Sequence, residues 1–166
     1  MRDLKKYAIE CMEMLDSLGI VYGNVKEFTV NTRSLRRWGQ CCKRPNGYYI
    51  NINADLLKEE NSETGLKETI LHELLHSCPD CYGHGERWQY YARKVNKAYG
   101  YNIKRTNSAE EKGVVERRIA KPSETKYQIQ CPACKHIWNY QRKCNVVTHP
   151  EWHSCGKCNK TLIRIK

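Results

Sequence analysis

Nothing in the 166-residue chain comes near the roughly 18 uninterrupted apolar residues of a membrane span, and the opening "MRDLKKYAIECMEM" lacks a signal-peptide core. No internal repeat or low-complexity tract appears. The expected protein is therefore soluble and intracellular, cytoplasmic or nucleoid-associated, with no membrane partner. The length allows one modest domain and a small appendage, and leaves no room for a second full-sized domain. Acidic residues are scarce in one part only. Residues 1–99 carry 15 Lys and Arg against 13 Asp and Glu, whereas residues 100–166 carry 14 against 5. The net charge of +11 thus belongs mainly to the C-terminal part, which favours a polyanionic partner, usually nucleic acid.

Cysteine is abundant instead: ten residues, six of them in three CxxC pairs. Without an export signal these read as reduced, metal-binding thiols rather than disulfides.

Residues 3–18 place Leu4, Tyr7, Ala8, Cys11, Met14, Leu15 and Leu18 at helical spacing, and Gly19 follows as a stop. "VKEFTVN" from Val25 alternates as a strand does, and "RRWGQCCKR" and "YYININ" flank the turn signal "PNG". Three strands are expected, the last two a hairpin. Thr64 is expected to cap a helix over about residues 65–77, and a further helix spans about 85–99. Residues 106–126 read as a basic linker between a domain at 1–105 and a separate unit at 127–166.

The helix expected over 65–77 holds "HELLH". His72 and His76 stand four residues apart, so both imidazoles project from one face and can reach a single ion. Glu73 lies one step round, near the metal's water without ligating the metal. Neutral imidazoles leave zinc strongly Lewis acidic, lowering the pKa of its water from about 15.7 towards ~7, and a carboxylate can take the proton. Glu73 is thus the candidate general base. Cys78, Cys81, His84 and Glu86 compete as third ligand. His84 is favoured, because seven residues including Pro79 and Gly83 let the chain leave the helix and return, while a thiolate would dampen the Lewis acidity. Cys78 and Cys81 are read as packing, with an auxiliary metal contact as the alternative. Tyr82, Arg87 and Tyr90 are candidates for oxyanion stabilisation by proximity alone.

Near the C-terminus "CPAC" and "CGKC", with 20 residues between them, have zinc-ribbon spacing. Cys131, Cys134, Cys155 and Cys158 are expected to hold a closed, structural zinc that replaces the core some 40 residues cannot build. Cys144, His136, His149 and His153 are left as surface or packing residues. Lys135, Arg142, Lys143, Lys157, Lys160, Arg164 and Lys166 interleave with Trp138, Tyr140 and Trp152, a mixture suited to phosphate contact and base stacking.

Taken in order, "RRWGQC", the hairpin with "ININADLL", "ETILHELLH", "GHGERW" and the cysteine ribbon resemble the SprT-like family of zinc metalloproteases, the Spartan-related group. That resemblance implies an α+β, zincin-like minimal protease domain with helices packed on a small antiparallel sheet, followed by the ribbon. It also implies His72, His76 and His84 as ligands of a catalytic zinc and Glu73 as the catalytic acid/base. The expected function is zinc-dependent endopeptidase action on DNA-associated or DNA-crosslinked proteins. Two rivals stay open: a non-enzymatic nucleic-acid-binding or adaptor protein with two structural zincs, and a metallopeptidase without a nucleic-acid partner.

Overall fold

A computed structural model describes residues 1–115 and 125–166, which divide into two compact units, Met1–Ile119 and Ala120–Lys166.

In the first unit, helix α1 (Leu4–Ser17) begins at Asp3, whose carboxylate accepts the Lys5 N–H, and buries Leu4, Ala8, Cys11 and Leu15. Strands β1 (Val25–Asn31), β2 (Gly39–Arg44) and β3 (Gly47–Asn53) form one sheet in the order β1-β3-β2. The β2–β3 hairpin is antiparallel as its turn signal predicts, but β1 runs parallel to β3, so the sheet is mixed rather than antiparallel. The cause lies in the connection after β1. The Asn31 side chain accepts the N–H groups of Arg33 and Ser34 and turns the chain, and the Asn53 amide, donating to the carbonyls of Ser34 and Arg37, ties that crossing to the end of β3. The chain therefore re-enters the sheet on the far side of β3.

Alternation along β3 puts Ile50 and Ile52 into the core and Tyr49 and Asn51 on the opposite face, where Asn51 donates to Thr29. Against this sheet packs α2 (Glu63–Leu75), with Leu66, Ile70, Leu71, Leu74 and Leu75 fully buried. Each such side chain contributes roughly 1.5–3 kcal/mol of burial. Its cap is Ser62, whose hydroxyl accepts the Gly65 N–H, and not Thr64; the helix starts and ends about two residues earlier than its periodicity suggests. Helix α3 (Glu86–Tyr99) buries Trp88, Ala92 and Val95 and stops at Gly100, which takes the left-handed conformation (φ 70°).

Residues 104–115 form a strap on this unit, where the sequence suggests a linker from 106. Lys112 is only 3 % exposed and pairs with buried Glu68 at 3.2 Å, Val114 joins the core, and Trp38 donates its indole N–H to the Asn107 carbonyl. The expected boundary at 105 falls inside this packing. The rest of that expected linker, residues 116–124, lies outside the described residues.

The second unit holds a sheet of order β5-β4-β6, from β4 (Tyr127–Gln130), β5 (Ile137–Tyr140) and β6 (Ile163–Arg164), with a single helical turn, α4 (Asn145–Thr148). Its core is small: Ile129, Cys131, Val147, Cys155 and Leu162.

Glu68 also accepts the Asn102 N–H at 2.7 Å, so the buried pair ties the strap and the chain beyond α3 to α2. Lys112→Ala would leave Glu68 charged and buried. It is expected to cost about 3 kcal/mol in urea unfolding of the whole protein, and replacing both by apolar residues (Glu68→Leu, Lys112→Met) should recover part of that loss.

Candidate metal centres

Helix α2 carries His72 and Glu73, and its C-cap residue, His76, keeps right-handed helical angles, so the four-residue spacing still aligns the two imidazoles. The loop after it supplies the third. Ser77 is held by Gly23, whose N–H donates to its carbonyl, and the Cys81 N–H donates to Cys78. Asp80 adopts φ 58°, a conformation Asp tolerates better than most residues, and its carboxylate accepts from Arg87 at 2.7 Å. Gln89, one turn into α3, donates to the His84 carbonyl at 3.0 Å. The loop is thereby folded back so that His84 Nε2 lies 3.1 Å from His72 Nε2, which is itself 3.2 Å from His76 Nε2.

These spacings test whether the residues fit a metal. Nitrogens bound to zinc at about 2.0–2.1 Å in a tetrahedron are separated by roughly 3.3 Å. A single His72 Nε2 proton cannot satisfy two neighbours at once, so hydrogen bonding within the triad is a poorer account of the convergence. The tautomer also fits. His76 Nδ1 faces the Cys81 carbonyl at 3.0 Å, and since a carbonyl only accepts, the proton sits on Nδ1 and leaves Nε2 as a lone-pair donor. Burial lowers the pKa of all three imidazoles, that of His72 to about 3, which keeps them neutral. The triad can hold a metal ion.

Trp88 walls the triad, its ring 4.8 Å from His72 and 4.6 Å from His84 and stacked at 5.6 Å on His76. Its helical spacing marks it only as a core residue, and nothing in that pattern distinguishes a side chain that also packs against three converging imidazoles.

Glu73 is 6 % exposed, and burial pushes its carboxyl up to about 7, with the Cys41 backbone N–H, Lys112 and Arg37 opposing. Space for it comes from Gly39. That residue faces α2 beside Ile52, and a Cβ on it would lie 2.6 Å from Glu73 Cγ and Oε1. Glu73, Gly39 and His72 line an open cleft of about 260 Å³ together with Arg36, Arg37 and Trp38 on one wall and Arg105, Thr106, Asn107 and Lys112 of the strap on the other. Gly39 and the strap shape this cleft, a role that periodicity alone does not expose, although "RRWGQC" already carries the glycine.

Other sequence candidates fall elsewhere. Cys78 and Cys81 are buried in the hydrophobic core, and among the described residues they join no cluster of metal-ligating groups. Cys81 acts through its carbonyl rather than its thiol. Tyr82 and Tyr90 are exposed, Arg87 is paired with Asp80, and none of the three lines the cleft. Glu86 begins α3 and is not among the converging groups.

In the second unit Cys131, Cys134, Cys155 and Cys158 converge, with Sγ separations of 3.3 Å (Cys131–Cys158) and 3.6 Å (Cys134–Cys155), a second group able to hold a metal. Backbone N–H groups of the two knuckles point at sulfur: that of Cys134 lowers the Cys131 pKa and that of Lys157, 3.5 Å from Cys155 Sγ, lowers the Cys155 pKa. Both effects favour thiolate, the form that ligates, at those two sulfurs, while the hydrogen bond with Cys131 pushes the Cys158 thiol up to about 12. Both clusters fit zinc.

His84→Ala removes one of three converging nitrogens. Zinc titration against a competing chelator should show the first unit's affinity falling by at least about a hundredfold, whereas His149→Ala, at a half-buried imidazole of the second unit stacked on Trp152, should leave it unchanged.

The chain is 27% identical over 119 residues to Protein SprT of Pseudomonas fluorescens, an alignment covering 64% of this chain and 63% of that protein, so the chain spans less than two thirds of that relative's length. The family model described as the SprT-like family matches residues 20–107, just over half of the chain and the whole stretch from the start of the sheet to the strap. With the histidine triad, Glu73 and Gly39 all inside the matched segment, the chain belongs to the SprT-like family.

Proposed function

We propose that this protein is a zinc-dependent endopeptidase that acts on DNA-associated proteins, including proteins crosslinked to DNA, with one catalytic zinc on His72, His76 and His84 and one structural zinc on the four ribbon cysteines. Family membership supports a metalloprotease-like role. The observation that carries the reading is the adjacency of a neutral imidazole triad to a buried carboxylate, Glu73, which shares a solvent-open cleft with His72. A purely structural site has no use for a base beside it.

When bound, the zinc would supply Lewis acidity toward a carbonyl oxygen and acidify water towards a pKa of ~7. The remaining steps belong to the chain. Glu73 removes the proton from the attacking water and returns it to the leaving nitrogen. Its raised pKa suits both acts, since a carboxyl near neutrality can hold a proton as well as lose it. The Cys81 carbonyl keeps His76 in its ligating tautomer, Trp88 fixes the three rings, and Gly39 leaves the carboxylate its place.

The DNA partner is supported by the second unit. Its described residues, 125–166, contain eight Lys and Arg and one acid. Trp152, 71 % exposed and stacked parallel on His149 at 4.0 Å, and Tyr127 beneath the Arg164 guanidinium offer flat surfaces for bases beside phosphate-binding cations. Among the described residues no helix is long and apolar enough to cross a membrane. The setting proposed is DNA inside the cell.

The test measures zinc per chain and the cleavage of a DNA-binding protein with and without single- or double-stranded DNA. Two zincs are expected, with cleavage stimulated by DNA and weakened by salt. Glu73→Gln should keep both zincs and lose activity by about a hundredfold or more; full activity in that variant with zinc retained would end the enzyme reading. Cys131→Ser with Cys134→Ser should lose one zinc and the fold of the second unit. Activity indifferent to DNA would leave a peptidase without a nucleic-acid partner.

A further inference from the structure

The cleft beside the triad has an uneven charge that the hydrolytic chemistry does not use. Among the described residues four cations line it, Arg36, Arg37, Arg105 and Lys112, against one carboxylate, Glu73. Lys112 is matched by Glu68 at 3.2 Å. The three guanidiniums are not matched: among the described residues none has a side-chain hydrogen bond or ion pair. Other cations of the unit are matched, Arg87 by Asp80 and Lys67 by Glu10 and Glu63, but it is the clustering of three unmatched guanidiniums around one recess that sets the cleft apart. Arg37 and Arg105 are close enough to the centre to act electrostatically on Glu73 and His84 respectively.

We propose that this cleft is a specificity subsite for an acidic side chain of the protein substrate, next to the peptide bond that is cut. The proposal rests on the endopeptidase reading for that position. A recess of about 260 Å³ lies just under the roughly 300 Å³ at which small-ligand pockets begin. It has room for a side chain. The guanidinium fork matches a carboxylate with two parallel hydrogen bonds, and three unpaired positive groups around a recess concentrate its field. The two walls come from the crossing before β2 and from the strap, so the arginines face whatever enters between them.

Position decides between a carboxylate and a nucleic-acid phosphate. His72 and Glu73 form part of the same lining, so a group seated there is contiguous with the scissile bond. A phosphodiester backbone in that place would occupy the substrate's own room, and DNA bound there would inhibit.

The experiment uses the full-length, zinc-loaded Glu73→Gln protein, which should bind without cutting. Its probes are two peptides identical except for Glu or Gln at the central positions, compared by calorimetry. The Glu peptide should bind at least about fivefold tighter. The ratio should fall to near one in the Arg36→Gln, Arg37→Gln, Arg105→Gln triple variant and partway in Arg105→Gln alone, with zinc content and thermal unfolding unchanged. Equal affinity for the two peptides overturns the proposal, and so does a preference that survives the triple substitution. Should a single-stranded oligonucleotide lose affinity in the triple variant while the peptides bind alike, the cleft serves phosphate and the proposal falls. Wild-type protein that cuts neither peptide, with the Glu preference and its arginine dependence intact, would remove the endopeptidase reading and sustain the subsite.

Discussion

The first unit depends on burying a helix that is not wholly apolar. Five leucine and isoleucine side chains of α2 fix it between the sheet and α1, and that same burial takes Glu68 and Glu73 out of water. Two carboxylates in such a place are costly unless answered. Glu68 is answered in full, by Lys112 and the Asn102 N–H. Glu73 is answered only in part and opens on a cleft. One carboxylate therefore anchors structure and the other stays chemically available, although both sit on one helix five residues apart.

The strap gains its meaning from this division. Lys112 is drawn in to neutralise Glu68, and the segment it brings completes the wall opposite Trp38 and Gly39. The cleft is thus a consequence of how the buried charge was satisfied. On the other side of α2, the turn through Asp80 and Cys81 closes a short circuit from His76 to His84, with Trp88 below the three rings. The second unit solves the opposite problem. Among the described residues it has five buried apolar or cysteine side chains at its centre, too few for stability by burial, and its four converging thiols offer the cross-link instead.

Much of this was legible in the sequence where a local pattern has a local cause. The spacing of His72 and His76 puts them on one face whatever surrounds the helix, and "PNG" makes a hairpin by its own turn chemistry. The convergence of His84 follows from a loop too short to wander, and the ribbon from two knuckles at a familiar distance. What stayed hidden depends on distant partners. The parallel β1–β3 pairing is set by the Asn31 turn and by Asn53 across the sheet, neither of which alters the alternation of "VKEFTVN". The strap has little apolar periodicity because it is held by one buried ion pair and Val114 rather than by an amphipathic face. Gly39 matters only because Glu73 lies opposite. Cys78 and Cys81 lie in the core, in line with their reading as packing, but that the polar contribution of Cys81 is made by its backbone carbonyl had no signal in the sequence.

The central claim is that the first unit binds zinc through imidazole nitrogens alone. X-ray absorption at the zinc edge tests it most directly on the full-length protein loaded to saturation. With one site of four thiolates and one of three imidazoles and an oxygen, the average zinc should show two sulfurs at about 2.3 Å and two nitrogens or oxygens at about 2.0 Å. An average of two and a half sulfurs or more would contradict the account, because it would bring Cys78 or Cys81 onto the metal.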